Sequence, residues 1–408
     1  MTSFNNLQIT PQILKGVYAA GFSEPFPIQK QAIGFLLEGS DVIGQARTGT
    51  GKTAAYGIPL LQTIDVQNSQ VQALVLSPTR ELAVQIAKDI SDLGKYASTK
   101  VLAIYGGQSI NIQLEALTRG VHAIVGTPGR VIDHIKRGTL RLGSVRFVVL
   151  DEADTMLEMG FVDDVEFILD SMSNDRQLSF FSATMPPRII GLSERYMRNP
   201  ERILIDSDEP SVDTLDQYYA VVKQEAKLPI LMDILAKEKP VSTMIFCRTK
   251  HRTRKLAREL AHHLDVVSLH GDLSQHQRDE SMRRFRSGHT AVLVATDVAS
   301  RGIDIRQVDC VINYEVPENP LLYFHRVGRT ARAGDSGRSF TIVSYDDFND
   351  FARILSLTKA TIKPLRPEDA EHSFNALPSE YNNKHDNYRR FRSVDSQNYS
   401  RDRWEEGW

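Results

Sequence analysis

The run Ala46-Arg47-Thr48-Gly49-Thr50-Gly51-Lys52-Thr53 constrains this chain more than any other feature, because of what flanks it. The strand-like DVIG precedes it and the helical AAYGIPLLQTI follows, so its glycines fall at a strand-to-helix turn. Gly49 and Gly51 let backbone N–H groups approach phosphate oxygens, and the start of the following helix adds a favourable field. Lys52 is placed to bridge the outer phosphates of a nucleotide, with the Thr53 hydroxyl helping to hold Mg²⁺. The strict phosphate-loop pattern has Gly where Ala46 stands, but the working residues are retained.

A turn of this kind belongs to a sheet of parallel strands, and the rest of the chain has the matching rhythm. Short apolar runs at 73–76, 124–125 and 147–150 alternate with segments whose apolar residues return every three or four positions. After Arg80, Leu82, Ile86, Ile90 and Leu93 fall on one helical face. The run FVVL has no polar alternation, as a central strand covered on both sides requires, and it ends at Asp151. Asp151 and Glu152, adjacent on an extended end, point to opposite sides and take different tasks: Asp151 toward Mg²⁺, Glu152 toward the water that attacks a γ-phosphate.

The rhythm restarts at 243–247, 266–269, 291–295, 311–314 and 340–343, which predicts a second α/β lobe. At 408 residues the chain has room for two full cores. Residues 205–213, IDSDEPSVD, read as the linker, and the polar stretch 367–408 reads as a tail without a fixed fold. No apolar run approaches the roughly 18 residues needed to span a bilayer, and the N-terminus lacks a secretory pattern, so a cytoplasmic protein is expected. Cys247 and Cys310, each in an apolar strand-like segment, read as buried thiols. A net charge of -2 excludes binding nucleic acid through overall basicity, so any such binding needs a local groove.

These motifs, in this order, resemble the DEAD-box RNA helicases, with Asp151-Glu152-Ala153-Asp154 as the name-giving tetrapeptide. The resemblance runs to about residue 366 and implies two tandem RecA-like domains, each a mainly parallel sheet flanked by helices. The implied boundaries are an adenine-reading segment at 1–30, domain 1 at 31–204, the linker, and domain 2 at 214–366. In GFSEPFPIQ, Gln29 would read the adenine edge with one donor and one acceptor, Phe22 would stack on the ring, and Phe4 would support the segment. That selects ATP as nucleotide, bound by Phe22, Gln29, residues Ala46 to Thr53 and Asp304.

The resemblance also implies RNA contacts from Arg80, Gly107, Thr127 and Arg130 in the first lobe, and from Arg278, Thr296, Arg301 and Gly302 in the second. None of these groups reads a base edge, so little sequence preference is expected. Ser182 and Thr184 of SAT would link Asp154 to lobe closure. Arg329 and Arg332, three apart and so on one helical face, resemble fingers that stabilise charge on the transferred phosphoryl group; the following position, aromatic in some members, is Ala333. The implied activity is ATP-driven local unwinding of RNA. An ATP-gated RNA clamp is the alternative, followed by a DNA translocase on the same two lobes.

Overall fold

The computed structural model describes residues 3–46, 50–205, 215–300, 308–331, 337–358 and 361–365. Arg47, Thr48, Gly49, the 206–213 part of the linker, Arg301, Gly302, Asp304, Arg332, Ala333 and the 367–408 tail fall outside the described residues. The first lobe is built on β1 (Val42–Gln45), β2 (Ala73–Leu76), β3 (Val101–Ile104), β4 (Ala123–Gly126), β5 (Phe147–Asp151), β6 (Gln177–Ser182) and β7 (Glu201–Leu204). They form one seven-stranded sheet in the order β3-β4-β2-β5-β6-β1-β7, with every pairing parallel. The second lobe uses β8 (Leu215–Val222), β9 (Thr243–Cys247), β10 (Val266–Leu269), β11 (Val292–Thr296), β12 (Cys310–Asn313), β13 (Gly337–Ser344) and β14 (Ile362–Pro364). Its order, β10-β11-β9-β12-β13-β8-β14, repeats the first lobe's strand for strand.

Side chains of the first sheet divide by pleat. Val75, Val125, Val149 and Phe181 enter one apolar layer, while Leu74, Leu76, Ile124, Val148, Leu150 and Phe180 enter the other. The helix Arg80–Leu93 closes the first layer with Leu82, Ile86, Ile90 and Leu93 buried, as the spacing predicted, and the Thr79 hydroxyl caps it by accepting from Leu82 N–H. Parallel strands buried on both faces explain why their sequences are continuous apolar runs. Cys247 and Cys310 are free and buried as expected, and burial pushes the Cys310 thiol up to about 12.

Strand β6 is the segment QLSFF, which reads as a strand ahead of the SAT motif, whereas β3, β7, β8 and β14 lie outside the runs singled out from sequence. Three of them are sheet edges, and all four carry exposed or half-exposed positions, which dilute an apolar signal. No helix among the described residues is long and apolar enough to cross a membrane.

Candidate nucleotide and RNA site

In the first lobe, the predicted functional segments other than the one with Phe22 and Gln29 begin where a strand ends. The phosphate loop follows β1, Thr79 and Arg80 follow β2, Gly106-Gly107 follows β3, Thr127 follows β4, Asp151 ends β5 and Ser182 ends β6. Parallel strands bring these six carboxyl ends to one edge of the sheet, where open α/β sheets bind ligands.

Gly51 closes the loop in a left-handed turn, φ 84°, before the helix Lys52–Thr63. A Cβ there would lie 2.4 Å from Gln29 Nε2, so only glycine fits. Lys52 is buried, and its ammonium donates to the Ala46 carbonyl at 2.9 Å. Gln29 has no exposed surface: its Oε1 accepts from Phe26 N–H at 2.9 Å and its Nε2 donates to the Gly51 carbonyl at 3.0 Å. The adenine-reading segment and the phosphate loop are therefore one hydrogen-bonded unit. Phe22 packs edge-on between Phe4 and Phe26, half-buried against the core, with Phe4 fully buried behind it.

Asp151 and Glu152 do not separate by strand pleat. Glu152 adopts φ 51°, ψ 50°, a left-handed turn that breaks the strand and starts the helix Ala153–Glu158. The turn, held by Glu152 N–H donating to Asp151 Oδ1 at 2.9 Å, is what sends the two carboxylates different ways. The other oxygen of Asp151 accepts from the buried Tyr56 hydroxyl at 2.9 Å. Burial raises the Asp151 carboxyl above its usual range despite Lys52, and burial followed by the Asp151 charge raises Glu152.

Asp154 behaves oppositely. Burial would raise it, but His325 of the second lobe, Thr184 and Ser182 outweigh burial and hold it below the ordinary value. Its Oδ2 accepts from both Thr184 N–H and Thr184 Oγ1, each at 2.9 Å, and its own N–H donates to Ser182 Oγ at 3.1 Å. The SAT segment and the acidic tetrapeptide thus touch, as the sequence suggested.

The second lobe reaches this edge in several places. Arg329 is buried and close enough for its charge to counter the rise of Glu152. It does not sit on a helical face: the helix Pro320–Val327 ends before it, and Ala331 turns left-handed at φ 54°. Arg278 is held by Glu81, with Nε to Oε1 at 2.7 Å, and the pair crosses between lobes with both side chains nearly buried. Asn319 donates to Glu158 at 3.3 Å. Glu81 and His325 were given no role from sequence; Glu81 adjoins Arg80 and His325 opens the HRVGRTARAG segment that carries Arg329, but their value depends on a partner in the other lobe. Thr296 ends β11, its hydroxyl accepting from Ala299 N–H at 3.4 Å.

Along the same edge of the first lobe, Arg80 lies over Gly107, where φ is 90° and an added Cβ would come within 2.3 Å of the guanidinium. Thr127 precedes the helix Pro128–Lys136 and makes no capping bond with its side chain. Arg130 donates to Gln113 Oε1 at 3.0 Å and to the Gln108 carbonyl at 3.3 Å.

The chain matches the DEAD/DEAH box helicase family model over residues 26–191 and the helicase conserved C-terminal domain model over 226–334. It is 45% identical to the DEAD-box ATP-dependent RNA helicase CshA of Geobacillus kaustophilus over 368 residues, covering 90% of this chain and 79% of that protein. Identity to ATP-dependent RNA helicase CshA of Limosilactobacillus reuteri is 42%, over 91% and 75% of the two chains. Among solved structures, S. cerevisiae Dbp5 bound to RNA and ADP BeF3 superposes with a TM-score of 0.80 at 32% identity, covering 90% of this chain and 97% of that one. A DEAD box protein from Methanococcus jannaschii is 39% identical with a TM-score of 0.53, over 90% and 99%. The two sheets are tandem RecA-like domains, and the chain belongs to the DEAD-box ATP-dependent RNA helicases.

Proposed function

We propose that ATP is hydrolysed at the seam between the two lobes and that its binding drives both lobes to grip one RNA strand, separating short stretches of duplex. The observation that carries this is electrostatic: the charge of Arg329, a buried residue of the second lobe, reaches Glu152 in the first and opposes its rise. Lys52 takes the outer phosphates, Phe22 the adenine together with Gln29 once its amide leaves Phe26 and Gly51, and Glu152 polarises the attacking water. Arg329, with Arg332, balances charge developing on the transferred phosphoryl group. Asp304 would meet the ribose.

The donor set fits Mg²⁺. Asp151 and Thr53 offer hard oxygen ligands, and the burial that raises the Asp151 carboxyl is a cost that a bound cation would offset. When bound, Mg²⁺ would neutralise phosphate charge; orienting the water and holding the cleft fall to Glu152 and the arginines.

Arg80, Gly107, Thr127, Arg130, Arg278, Thr296, Arg301 and Gly302 are the proposed RNA contacts, with Asp154, Ser182 and Thr184 coupling them to the nucleotide. The domains are proposed to span 31–204 and 214–366 and to work in the cytoplasm. The relatives are named helicases, which favours strand separation over a clamp that holds RNA without opening it.

An ATPase assay run beside displacement of a short RNA duplex tests this reading. RNA-stimulated hydrolysis with displacement is expected. Stimulated hydrolysis without displacement would replace unwinding by clamping, and equal stimulation by DNA would overturn RNA as the substrate.

A further inference from the structure

The helix Ile110–Thr118 has one fully buried side chain, and it is polar: Gln113. A buried primary amide is costly unless its two N–H groups and its oxygen are all matched. Gln113 meets that demand completely. Its Nε2 donates to the Tyr105 carbonyl at 3.1 Å and to Gln108 Oε1 at 2.9 Å. Its Oε1 lies 3.0 Å from Arg130 Nη1 and 3.0 Å from His134 Nε2. Because Nε2 faces two acceptors and Arg130 can only donate, the amide orientation is fixed, and His134 must carry its proton on Nε2.

The four partners come from two different segments, one after β3 and one after β4. Tyr105 and Gln108 bracket Gly106-Gly107 after β3, whereas Arg130 and His134 lie on the helix that begins just after Thr127, at the end of β4. Arg130 adds a second tie by donating to the Gln108 carbonyl, and His134 Nδ1 lies 2.9 Å from Thr139 Oγ1. Each half of the amide therefore reads one loop.

We propose that Gln113 is a positioning residue that locks the Gly107 loop and the Thr127–Arg130 turn at a fixed spacing, so that successive RNA phosphates meet both at once. This rests on the assignment of those two loops to RNA. Gln113 itself touches no RNA; it acts by holding Arg130 and the loop backbone, where small displacements weaken contacts made in concert.

Three variants of the full chain test it, read as the RNA concentration giving half-maximal ATPase, the KM for ATP and the melting temperature. Gln113→Met keeps the volume and removes every hydrogen bond, and should raise half-saturating RNA by about tenfold, the effect of losing buried hydrogen bonds, while the KM for ATP stays within about twofold. Gln113→Glu keeps the acceptor for Arg130 and His134 but not the donors, and should fall between Met and wild type. If Gln113→Met does not fold, Gln108→Met, which breaks one bond on a partly exposed loop, should still raise half-saturating RNA by a smaller factor. Unchanged RNA dependence in a folded Gln113→Met or in Gln108→Met overturns the proposal, as does a parallel loss of ATP and RNA affinity with melting temperature. A wild-type ATPase that RNA does not stimulate would overturn the assignment of the loops and this inference with it.

Discussion

The two sheets have the same strand order, and at the same place in each, after β1 and after β8, a twelve-residue helix begins with a buried lysine. Lys52 touches a backbone carbonyl of its own loop. Lys227, only 1% exposed, donates to the Tyr314 carbonyl at 3.1 Å and to Asp347 Oδ2 at 3.0 Å, and Asp347 is also held by Arg248. One scaffold thus carries the same cation twice, once at the proposed phosphate site and once sealed by a carboxylate. Chemistry follows from which anion the lysine is offered, a property of the loops and not of the sheet.

The charges confirm the contrast. In the first lobe burial leaves Asp151 and Glu152 raised, a sign of carboxylates whose surroundings favour the neutral form. In the second, burial also opposes the Asp347 charge, but Ser344, Lys227 and Arg248 outweigh it and hold the carboxyl below its ordinary value. The first arrangement costs stability and keeps reactive groups available; the second gives stability and no chemistry.

The largest break in this comparison should come from Lys52→Ala, which is expected to lose ATP binding by roughly two orders of magnitude or more, since the outer phosphates lose their cation. Isothermal titration checks it, and retained affinity would contradict the phosphate-loop role. Glu152→Gln should follow, keeping ATP and RNA binding while steady-state turnover drops by about 10²-fold, the lower end of what a positioned base contributes. In the second lobe Asp347→Ala leaves Lys227 buried without its carboxylate, and chemical denaturation should show a loss of about 3 to 5 kcal/mol. Because the folded-state Asp347 is depressed, its contribution is present above the unfolded carboxylate value and fades as pH falls through the folded one, so wild type and Asp347→Asn should converge in stability only in acid.

The smallest effect has the opposite sign. Glu152 is raised in the folded state, so its ionisation disfavours folding above its folded pKa and the penalty disappears as pH falls through it. Glu152→Gln should therefore melt slightly higher than wild type at neutral pH and lose that advantage in acid. A lower melting temperature at neutral pH would mean that Glu152 is stabilised by its setting after all.

Much of this was legible in the sequence because central parallel strands are short apolar runs and each active segment starts where one ends. Lys52 and Asp151 could be placed from local pattern, and Asp154 from the family resemblance. Two local geometries could not. Glu152 in a left-handed turn and Arg329 beyond the end of its helix both depend on how the surrounding packing breaks a regular element. Partner choice was least legible: Glu81 looks like one more helix-surface acid, and Gln113 like one more surface amide, until the fold brings Arg278 to the first and Gln108 with Arg130 to the second.

The account turns on the nucleotide being read by both lobes at once. Equilibrium binding of a labelled single-stranded RNA, with and without a non-hydrolysable ATP analogue, measures this in wild type and Arg329→Ala. Nucleotide should tighten RNA binding in wild type, by the 5-fold to 150-fold or so that coupling between sites typically gives, and should do little in the variant. Equal RNA affinity with and without nucleotide in wild type would contradict it.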